Sequence, residues 1–219
     1  MQKLILASAS PRRADLLRML GLPFRVVPSG VSEVLETPLE PADYVLEISR
    51  RKARAVARKF RGELVLGADT VVVLEGNILG KPADPNDAAR MLTRLSGKTH
   101  QVFTALTLID TASGSTLSDV AVTDVTIRRL SREDIRRYVE TGESSDKAGA
   151  YAAQGRAVVF IESVSGCFYN VVGLPLACLW DLTGRILARS PWSLIPKGAS
   201  VPDLISSGRS ESRPRCSES

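Results

Sequence analysis

The chain begins with residues 1–13, MQKLILASASPRR, where a short apolar run gives way to a polar stretch that ends in two arginines. The apolar run predicts a buried β-strand, whereas Ser10 followed by Pro11 is typical of a helix start, with Ser10 as N-cap. A strand-to-helix corner offers free backbone N–H groups and the positive end of a helix dipole to an anion. The two arginines are therefore either part of an anion site or solvated residues of a first helical turn, and this segment alone does not separate the two.

The overall composition is that of a single globular domain. The chain has 219 residues, of which 44% are hydrophobic and 24% charged, so it can bury one core of ordinary size. No apolar run approaches the ~20 residues of a membrane-spanning helix, and the N-terminal apolar stretch is too short for a signal peptide. We therefore expect a cytoplasmic protein that contacts no membrane.

Cysteine and histidine content excludes several kinds of site. Three scattered cysteines without a CxxC pair argue against a disulfide framework and a zinc site. A single histidine, His100, leaves little room for histidine-based triads or metal centres, and we expect it to be structural. Carboxylates, lysines and arginines therefore remain as the expected catalytic groups. The net charge of +5 is compatible with an acidic ligand.

Hydrophobic periodicity predicts an α/β chain with long strands in its middle. We expect strands at 3–7, 24–27, 64–66, 70–74, 100–110, 116–130, 157–161 and 168–172, and helices at 11–20, 42–60, 84–96, 131–140 and 174–187. A change of parity along the sixth of these strands predicts a bulge near Thr123 and Asp124. Residues 188–219 are rich in serine and proline and predict a disordered tail, so the folded domain is expected to span residues 1–187.

Two charged residues stand at positions where the pattern calls for apolar ones. Lys52 falls near the middle of the apolar stripe of the helix at 42–60, either as a lysine that snorkels from the core edge or as an ammonium directed into a cleft. Asp69 ends an apolar strand, where a carboxylate is costly unless it is paired or bound to a metal.

Two glycine-containing segments invite a nucleotide-binding interpretation. The SGKT run at 96–99 lacks the glycine that a P-loop requires five residues earlier and follows a helix instead of opening one, so it is not a P-loop. The DKAGAY run at 146–151, followed by Gln154 and Gly155, either lets a ligand approach closely or is a turn with a partly buried tyrosine.

The polar residues singled out by position form a chemically coherent set of cations and carboxylates. Cations hold a polyphosphate, whereas carboxylates hold a divalent metal and orient or deprotonate water. Together they are the expected inventory for metal-assisted hydrolysis of a phosphoanhydride. The set comprises Ser8, Arg12, Arg13, Glu33, Lys52, Asp69 and Lys81.

Six motifs in uninterrupted order over residues 3–187 resemble the Maf nucleotide pyrophosphatases, once named septum formation proteins. The resemblance implies an elongated mixed β-sheet flanked by helices, with two lobes and a central cleft, as in the inosine triphosphate pyrophosphatases. It also implies hydrolysis of a nucleoside triphosphate between the α and β phosphates with a divalent cation, Mg²⁺ or Mn²⁺. The motifs are LASASPRR at 6–13, GADTVV at 67–72, GKPAD at 80–84, LSGKTHQVFT at 95–104, SDKAGAYAAQG at 145–155 and VVGLPL at 171–176.

The resemblance also implies roles for individual residues. Asp69 resembles the catalytic acidic residue, as base or metal ligand, and Glu33 a second metal ligand. The remaining phosphate and metal set implied in this way comprises Ser8, Arg13, Lys52 and Lys81. Ser32 stands where many relatives have an acidic residue, which removes one candidate ligand.

Substrate choice is implied by three further positions, Arg12, Thr70 and Gln154. Their motifs resemble the branch that acts on dTTP and UTP, not the branch that acts on 7-methyl-GTP and CTP. The family also suggests a homodimer, and no nucleic acid is expected as a partner.

Two other functions compete with this hypothesis. The basic composition and the old family name together suggest a regulator of cell division that binds nucleic acid or protein without catalytic activity. Nucleic-acid binding is not favoured, because only 5% of the residues are aromatic and the cations are scattered. A phosphotransferase acting on the same nucleotides is the other alternative, and it would yield a diphosphate or a phosphorylated acceptor instead of pyrophosphate.

Overall fold

A computed structural model describes residues 3–196 and contains one mixed β-sheet with helices on both faces. The strands follow the order β2-β1-β3-β5-β6-β7, and β4 pairs with β3 off this path. Pairs β1–β2 and β1–β3 are parallel, and the remaining pairs are antiparallel. The predicted α/β architecture with a mixed sheet flanked by helices is therefore confirmed. The strands are β1 (Leu4–Leu6), β2 (Phe24–Val26), β3 (Leu64–Leu74), β4 (Asn77–Leu79), β5 (Thr99–Asp110), β6 (Thr116–Ile127) and β7 (Ile161–Ser165).

Helices cover the two faces of the sheet unequally. Of the helices within residues 3–196, most pack on one face, whereas α2 packs on the other through Val45, Ala53 and Val56. Asp84 caps α3 by accepting from Asp87 N–H at 2.7 Å, as the sequence pattern predicts. The helices are α1 (Pro11–Met19), α2 (Pro41–Ala57), α3 (Pro85–Leu95), α4 (Arg132–Glu140), α5 (Phe168–Val172) and α6 (Leu176–Leu187).

The long strand β3 runs through every hydrophobic cluster of the described core, because successive side chains alternate between faces. On the face with most helices, Leu64 and Leu66 join the cluster around α1 and α6, whereas Val72 and Leu74 join the cluster around α3 and α4. This arrangement provides two lobes that share the same strands. Thr70 lies between the two clusters, at the junction of the lobes.

The edge of β3 opposite β5 is only partly paired. β1 pairs with Leu64–Leu66 and β4 with Val72–Leu74, so neither strand covers residues 67–71 of β3. Because β1 ends there and its chain turns into α1, the sheet has a gap between the two lobes. This gap positions the cleft described below.

Several local predictions were wrong. The strands predicted at 64–66 and 70–74 form one continuous strand, β3, so Asp69 lies within a strand and not at its end. Residues Arg156–Phe160 form a 3₁₀ turn and Phe168–Val172 forms α5, where strands were predicted. The spacing of buried Ala157 and Phe160 by three residues is that of a 3₁₀ turn, and short apolar runs do not separate this pattern from a strand. The bulge predicted near Thr123 is absent: β6 pairs with β5 in continuous register, and the irregularity lies at Thr126/Ile127 towards β7.

The C-terminal boundary also differs from the prediction. A 3₁₀ turn at Pro191–Leu194 follows α6, Leu194 is buried in the core, and Trp192 packs edge-on against Trp180 at 5.0 Å between ring centroids. Order therefore continues past Leu187, because Leu194 adds apolar burial that serine and proline content does not indicate. The rest of the predicted tail, residues 197–219, lies outside the described residues. No helix among residues 3–196 combines the length and apolarity that membrane crossing requires.

Candidate active site

The sheet gap opens into a cleft of about 440 Å³, within the size range of small-molecule sites. Every residue that the sequence analysis assigned to the site lines this cleft, although these residues come from distant parts of the chain. They are Ser8, Arg12, Arg13, Glu33, Lys52, Asp69, Thr70, Lys81 and Gln154.

Lys52 links two carboxylates at one side of the cleft. Its Nζ donates to Asp69 Oδ1 at 2.7 Å and to Glu33 Oε1 at 2.6 Å. Lys52 and Asp69 are buried, whereas the Glu33 side chain is half exposed. Of the two interpretations of Lys52, the geometry supports an ammonium directed into a cleft.

Gly67 allows α2 to lie close enough to β3 for this contact. A Cβ atom at Gly67 would come within 2.3 Å of the Ser49 carbonyl oxygen and 2.9 Å of Ala53 Cβ. Any side chain there would push α2 away from β3. Because Lys52 precedes Ala53 on α2 and Asp69 lies two residues after Gly67 on the same face of β3, the close approach brings the two charges together.

Burial and neighbouring charges shift the pKa values of Asp69 and Glu33 in opposite directions. Burial raises the pKa of Asp69 above its ordinary value, although Lys52 and Arg13 oppose the shift. Burial also acts to raise the pKa of Glu33, but the hydrogen bond and charge of Lys52, with the charge of Lys81, outweigh it and lower this pKa. Asp69 is therefore the more basic of the two.

Arg13 lies in the gap of the sheet and donates hydrogen bonds to the groups around it. Its Nη1 donates to the Ala68 carbonyl at 2.9 Å, where the edge of β3 opposite β5 is unpaired, and to Ser8 Oγ at 3.0 Å. Its Nε donates to the Gly173 carbonyl at 2.8 Å, and Nη2 donates to Thr70 Oγ1 at 3.0 Å. Four of the five guanidinium N–H groups are thus used within the chain, which leaves one for a ligand.

Thr70 belongs to the same hydrogen-bond chain. Thr104 Oγ1 donates to the Asn170 carbonyl at 3.2 Å, so the 2.9 Å contact between Thr70 and Thr104 has Thr70 as donor. The Thr70 hydroxyl accepts from Arg13 and donates to Thr104, and its orientation is fixed before any ligand arrives.

Arg12, Lys81 and Gln154 project into the cleft without such commitments. Within residues 3–196, neither cation forms a salt bridge, and the Gln154 amide makes no hydrogen bond. The N-terminus of α1 borders the same cleft through Ser10 and Pro11, so its positive dipole end adds to the attraction for an anion.

The carboxylates suit a divalent cation that a substrate helps to hold. Among the described residues, no group of three or more His, Cys, Asp or Glu side chains could hold a metal alone, and Asp69 Oδ2 and Glu33 Oε2 accept no hydrogen bond. One or two carboxylates completed by phosphate oxygens and water are the usual environment of Mg²⁺ in nucleotide sites. Ser32 is not among the residues that line the cleft, and its hydroxyl accepts from the Val34 N–H at 3.2 Å.

Two side-chain contacts that organise the cleft could not be predicted from the sequence pattern. The Tyr44 hydroxyl, from the first turn of α2, donates to the Glu33 carbonyl at 2.7 Å and holds the loop that carries this carboxylate. His100 Nε2 lies 2.8 Å from the Tyr151 hydroxyl, both residues are buried, and Tyr151 lines the cleft. These pairs are far apart in sequence, so only the fold brings them together.

Comparison with known proteins agrees with the motifs from which the site was predicted. The family model described as Maf-like protein matches residues 3–186. The chain belongs to the Maf-like family. The predicted family resemblance is thereby confirmed over nearly the whole of the described structure.

Curated Maf-like relatives align over most of their own length. The chain is 51% identical over 182 residues to the dTTP/UTP pyrophosphatase of Pelotomaculum thermopropionicum, covering 83% of this chain and 95% of that protein. It is 53% identical over 176 residues to the dTTP/UTP pyrophosphatase of Symbiobacterium thermophilum, covering 80% and 90% respectively. Among solved structures, a HAM1 protein from Coxiella burnetii aligns with 59% of this chain and 75% of its own at a TM-score of 0.41 and 16% identity, a likeness too distant to support a conclusion.

Proposed function

We propose that this Maf-like chain hydrolyses nucleoside triphosphates, dTTP and UTP foremost, to the monophosphate and pyrophosphate. The observation that carries the proposal is the pair of carboxylates bridged by Lys52 at one side of a cleft whose other walls supply Arg12 and Lys81. Such a site attracts a polyphosphate and keeps a buried base beside it. The names of the relatives at about half identity support the same reaction and substrates.

Asp69 is the group that accepts a proton from the attacking water. Its raised pKa brings it nearer to neutrality, where a general base is more effective while it is still ionised. The water oxygen forms a bond to the α-phosphorus while the bond from this phosphorus to the oxygen bridging it to the β-phosphorus breaks. Pyrophosphate leaves with that oxygen, and Lys52 keeps Asp69 oriented throughout.

Cations of the cleft stabilise the charge that moves onto the leaving pyrophosphate. Lys81 is uncommitted and therefore able to contact phosphate oxygens, and electrostatic stabilisation of this kind supplies much of the rate enhancement in phosphoryl transfer. Arg13 contributes its charge and one N–H, while its other hydrogen bonds hold Ser8 and Thr70.

Glu33 and Asp69 would hold a divalent cation, Mg²⁺ or Mn²⁺, through the oxygens that Lys52 leaves free. The cation would neutralise phosphate charge and align the triphosphate. Phosphate oxygens and water would complete its coordination, in keeping with the small number of protein ligands.

Base choice falls to Arg12, Thr70 and Gln154, which line the cleft together. The exposed Gln154 amide offers both a donor and an acceptor to the edge of a pyrimidine. We retain a homodimer and a cytoplasmic location as predictions, which molar mass in solution and cell fractionation would test.

The decisive experiment incubates the purified protein with dTTP, UTP, CTP, GTP and 7-methyl-GTP, with Mg²⁺ or Mn²⁺, and quantifies pyrophosphate and orthophosphate separately. We expect pyrophosphate and monophosphate from dTTP and UTP. Activity confined to CTP or 7-methyl-GTP would preserve the reaction but overturn the base assignment. A diphosphate product would favour a phosphotransferase, and no product with either metal would overturn the proposal in favour of a binding role.

A further inference from the structure

The segment 151–156, which carries Gln154, is held near both ends by side chains that do not line the cleft. At its start, the Ala152 N–H donates to the Tyr138 hydroxyl at 3.1 Å. At its end, the Arg156 N–H donates to Glu143, at 2.9 Å to Oε2 and 3.2 Å to Oε1. Neither Tyr138 nor Glu143 lines the cleft itself.

Glu143 also fits closely against the backbone between these two points. A Cβ atom at Gly155 would lie 1.7 Å from Glu143 Oε1, so the carboxylate occupies the space that any other residue at position 155 would fill. The backbone directly after Gln154 is therefore confined by contact as well as by hydrogen bonds.

Tyr138 is itself firmly placed. Its ring is buried and packs edge-on against Phe160 at 5.2 Å between centroids. Burial raises the pKa of Tyr138, and the nearby Glu143 carboxylate raises it further, so the hydroxyl keeps its proton next to that carboxylate. Tyr138, on α4, and Glu143, in the turn that follows α4, thus form one unit that holds both ends of the segment.

The burial of the side chains in this segment shows that Tyr138 and Glu143 constrain the position of Gln154. Tyr151, Ala152 and Ala153 are each at most 6% exposed, whereas Gln154 is exposed at the cleft. A pinned backbone with one projecting amide restricts where that amide can point. Restriction of this kind sharpens the discrimination between base edges, because a misplaced partner leaves polar groups unpaired.

We propose that Tyr138 and Glu143 are positioning residues that set the base selectivity of this enzyme by fixing the backbone that presents Gln154. The inference rests on the proposed function, because it assigns Gln154 to the base. Neither residue is assigned to contact substrate, so their effect is on selectivity and KM and not on the chemical step.

The test compares Tyr138→Phe and Glu143→Gln with the wild-type chain. Tyr138→Phe keeps the buried ring and removes only the hydroxyl, whereas Glu143→Gln keeps the shape and removes the charge. Matched controls are Tyr169→Phe, on α5, and Glu140→Gln, at the exposed end of α4. Steady-state kcat and KM are measured for UTP, dTTP and CTP, and melting temperatures are recorded for all variants.

We expect the KM for UTP and dTTP to rise roughly tenfold in Tyr138→Phe, with kcat unchanged and with lower selectivity over CTP, as for one lost hydrogen bond. Glu143→Gln should also lower the selectivity for UTP and dTTP over CTP, whereas the two control variants should leave this selectivity unchanged. In a Gln154→Ala background, adding Tyr138→Phe should cause no further loss of selectivity.

Three results would overturn the inference. These are unchanged selectivity in both variants, an equal fall of kcat for every nucleotide, and a selectivity loss from Tyr138→Phe that persists in the Gln154→Ala background. A wild-type chain that hydrolyses no nucleotide would instead contradict the proposed function. Calorimetric binding of UTP and CTP to the same variants would then decide the positioning role, and absence of UTP binding would reject it.

Discussion

Asp69 and Thr70 are consecutive residues of β3 whose side chains lie on opposite faces of the sheet, yet both border the same cleft. This is possible because the edge of β3 opposite β5 has no strand neighbour over residues 67–71, so the cleft reaches both faces there. The carboxylate proposed as the base and the hydroxyl proposed to act in recognition are thereby one residue apart. Any shift of β3 would displace both at once.

Replacing Asp69 with asparagine should remove most turnover while keeping the fold. The amide oxygen can still accept from Lys52, but it cannot take a proton from water, so we expect kcat to fall about 100-fold or more. Pyrophosphate release measures the loss, and the melting temperature reports on the fold. Asp124→Asn, on β6 and bonded to Gln101, is the matched control. Full activity in Asp69→Asn would reject this carboxylate as the base.

Replacing Lys52 with methionine should destabilise the chain by about 3 kcal/mol at neutral pH, because it leaves a buried carboxylate without its partner. The pKa of Asp69 is already raised by burial, and loss of Lys52 would raise it further. A carboxyl group with a raised folded-state pKa destabilises the fold when ionised, so the destabilisation should shrink as the pH falls through that pKa.

Urea unfolding at pH 7.5 and pH 5 measures this difference for Lys52→Met. Lys98→Met removes an exposed salt bridge to Glu75 and should change stability by no more than about 1 kcal/mol at either pH. Adding Asp69→Asn to Lys52→Met should restore much of the lost stability. An equal loss at both pH values, unaffected by Asp69→Asn, would contradict the electrostatic explanation.

The two adjacent arginines should respond differently to the same substitution. Lysine at position 13 cannot serve four acceptors in the geometry of a guanidinium, so the Ala68 and Gly173 carbonyls lose donors. We expect Arg13→Lys to destabilise the fold by about 3 kcal/mol. Arg12→Lys should change stability by less than about 0.5 kcal/mol and instead raise KM. Denaturant unfolding of both variants checks the contrast, which similar stability losses would refute.

His100 should make stability depend on pH below neutrality. Burial lowers its pKa from 6.5 to about 4 in the folded chain. As the pH falls below 6.5, the unfolded chain therefore takes up a proton that the folded chain does not, and the fold loses on the order of 3 kcal/mol by pH 4. His100 is the single histidine, so His100→Gln should flatten the unfolding free energy between pH 6.5 and 5. If His100→Gln left the pH dependence of the unfolding free energy unchanged, that dependence would have to arise from other titratable groups.

Sequence patterns predicted most of the long regular elements, because these rest on local periodicity, but they divided β3 into two short strands. The helix predicted at 42–60 is observed as Pro41–Ala57, and the strand pattern at 100–110 is observed as Thr99–Asp110. Short apolar segments were mistaken, and α5 is the clearest case. Its Asn170 amide donates to Val102 and Thr123, from β5 and β6, and contacts so distant in sequence leave no local periodicity.

The candidate site divides in the same way. Asp69 and Lys52 were visible in the sequence because a charge interrupts an apolar pattern at each position. The resemblance placed Arg13 in the phosphate set, but its bonds to Ala68 and Gly173 depend on the gap in the sheet. Tyr44 and Glu143 stand at ordinary polar positions, so their contacts emerge only when distant segments meet.

The continuous strands that join the two lobes limit how this protein can move. β3 has 11 residues and β5 has 12, and both pass from one hydrophobic cluster to the other without a break. A hinge between the lobes would have to bend these hydrogen-bonded ladders. We therefore expect the two lobes to keep their relative geometry when a ligand binds, so that any movement is confined to the loops around the cleft.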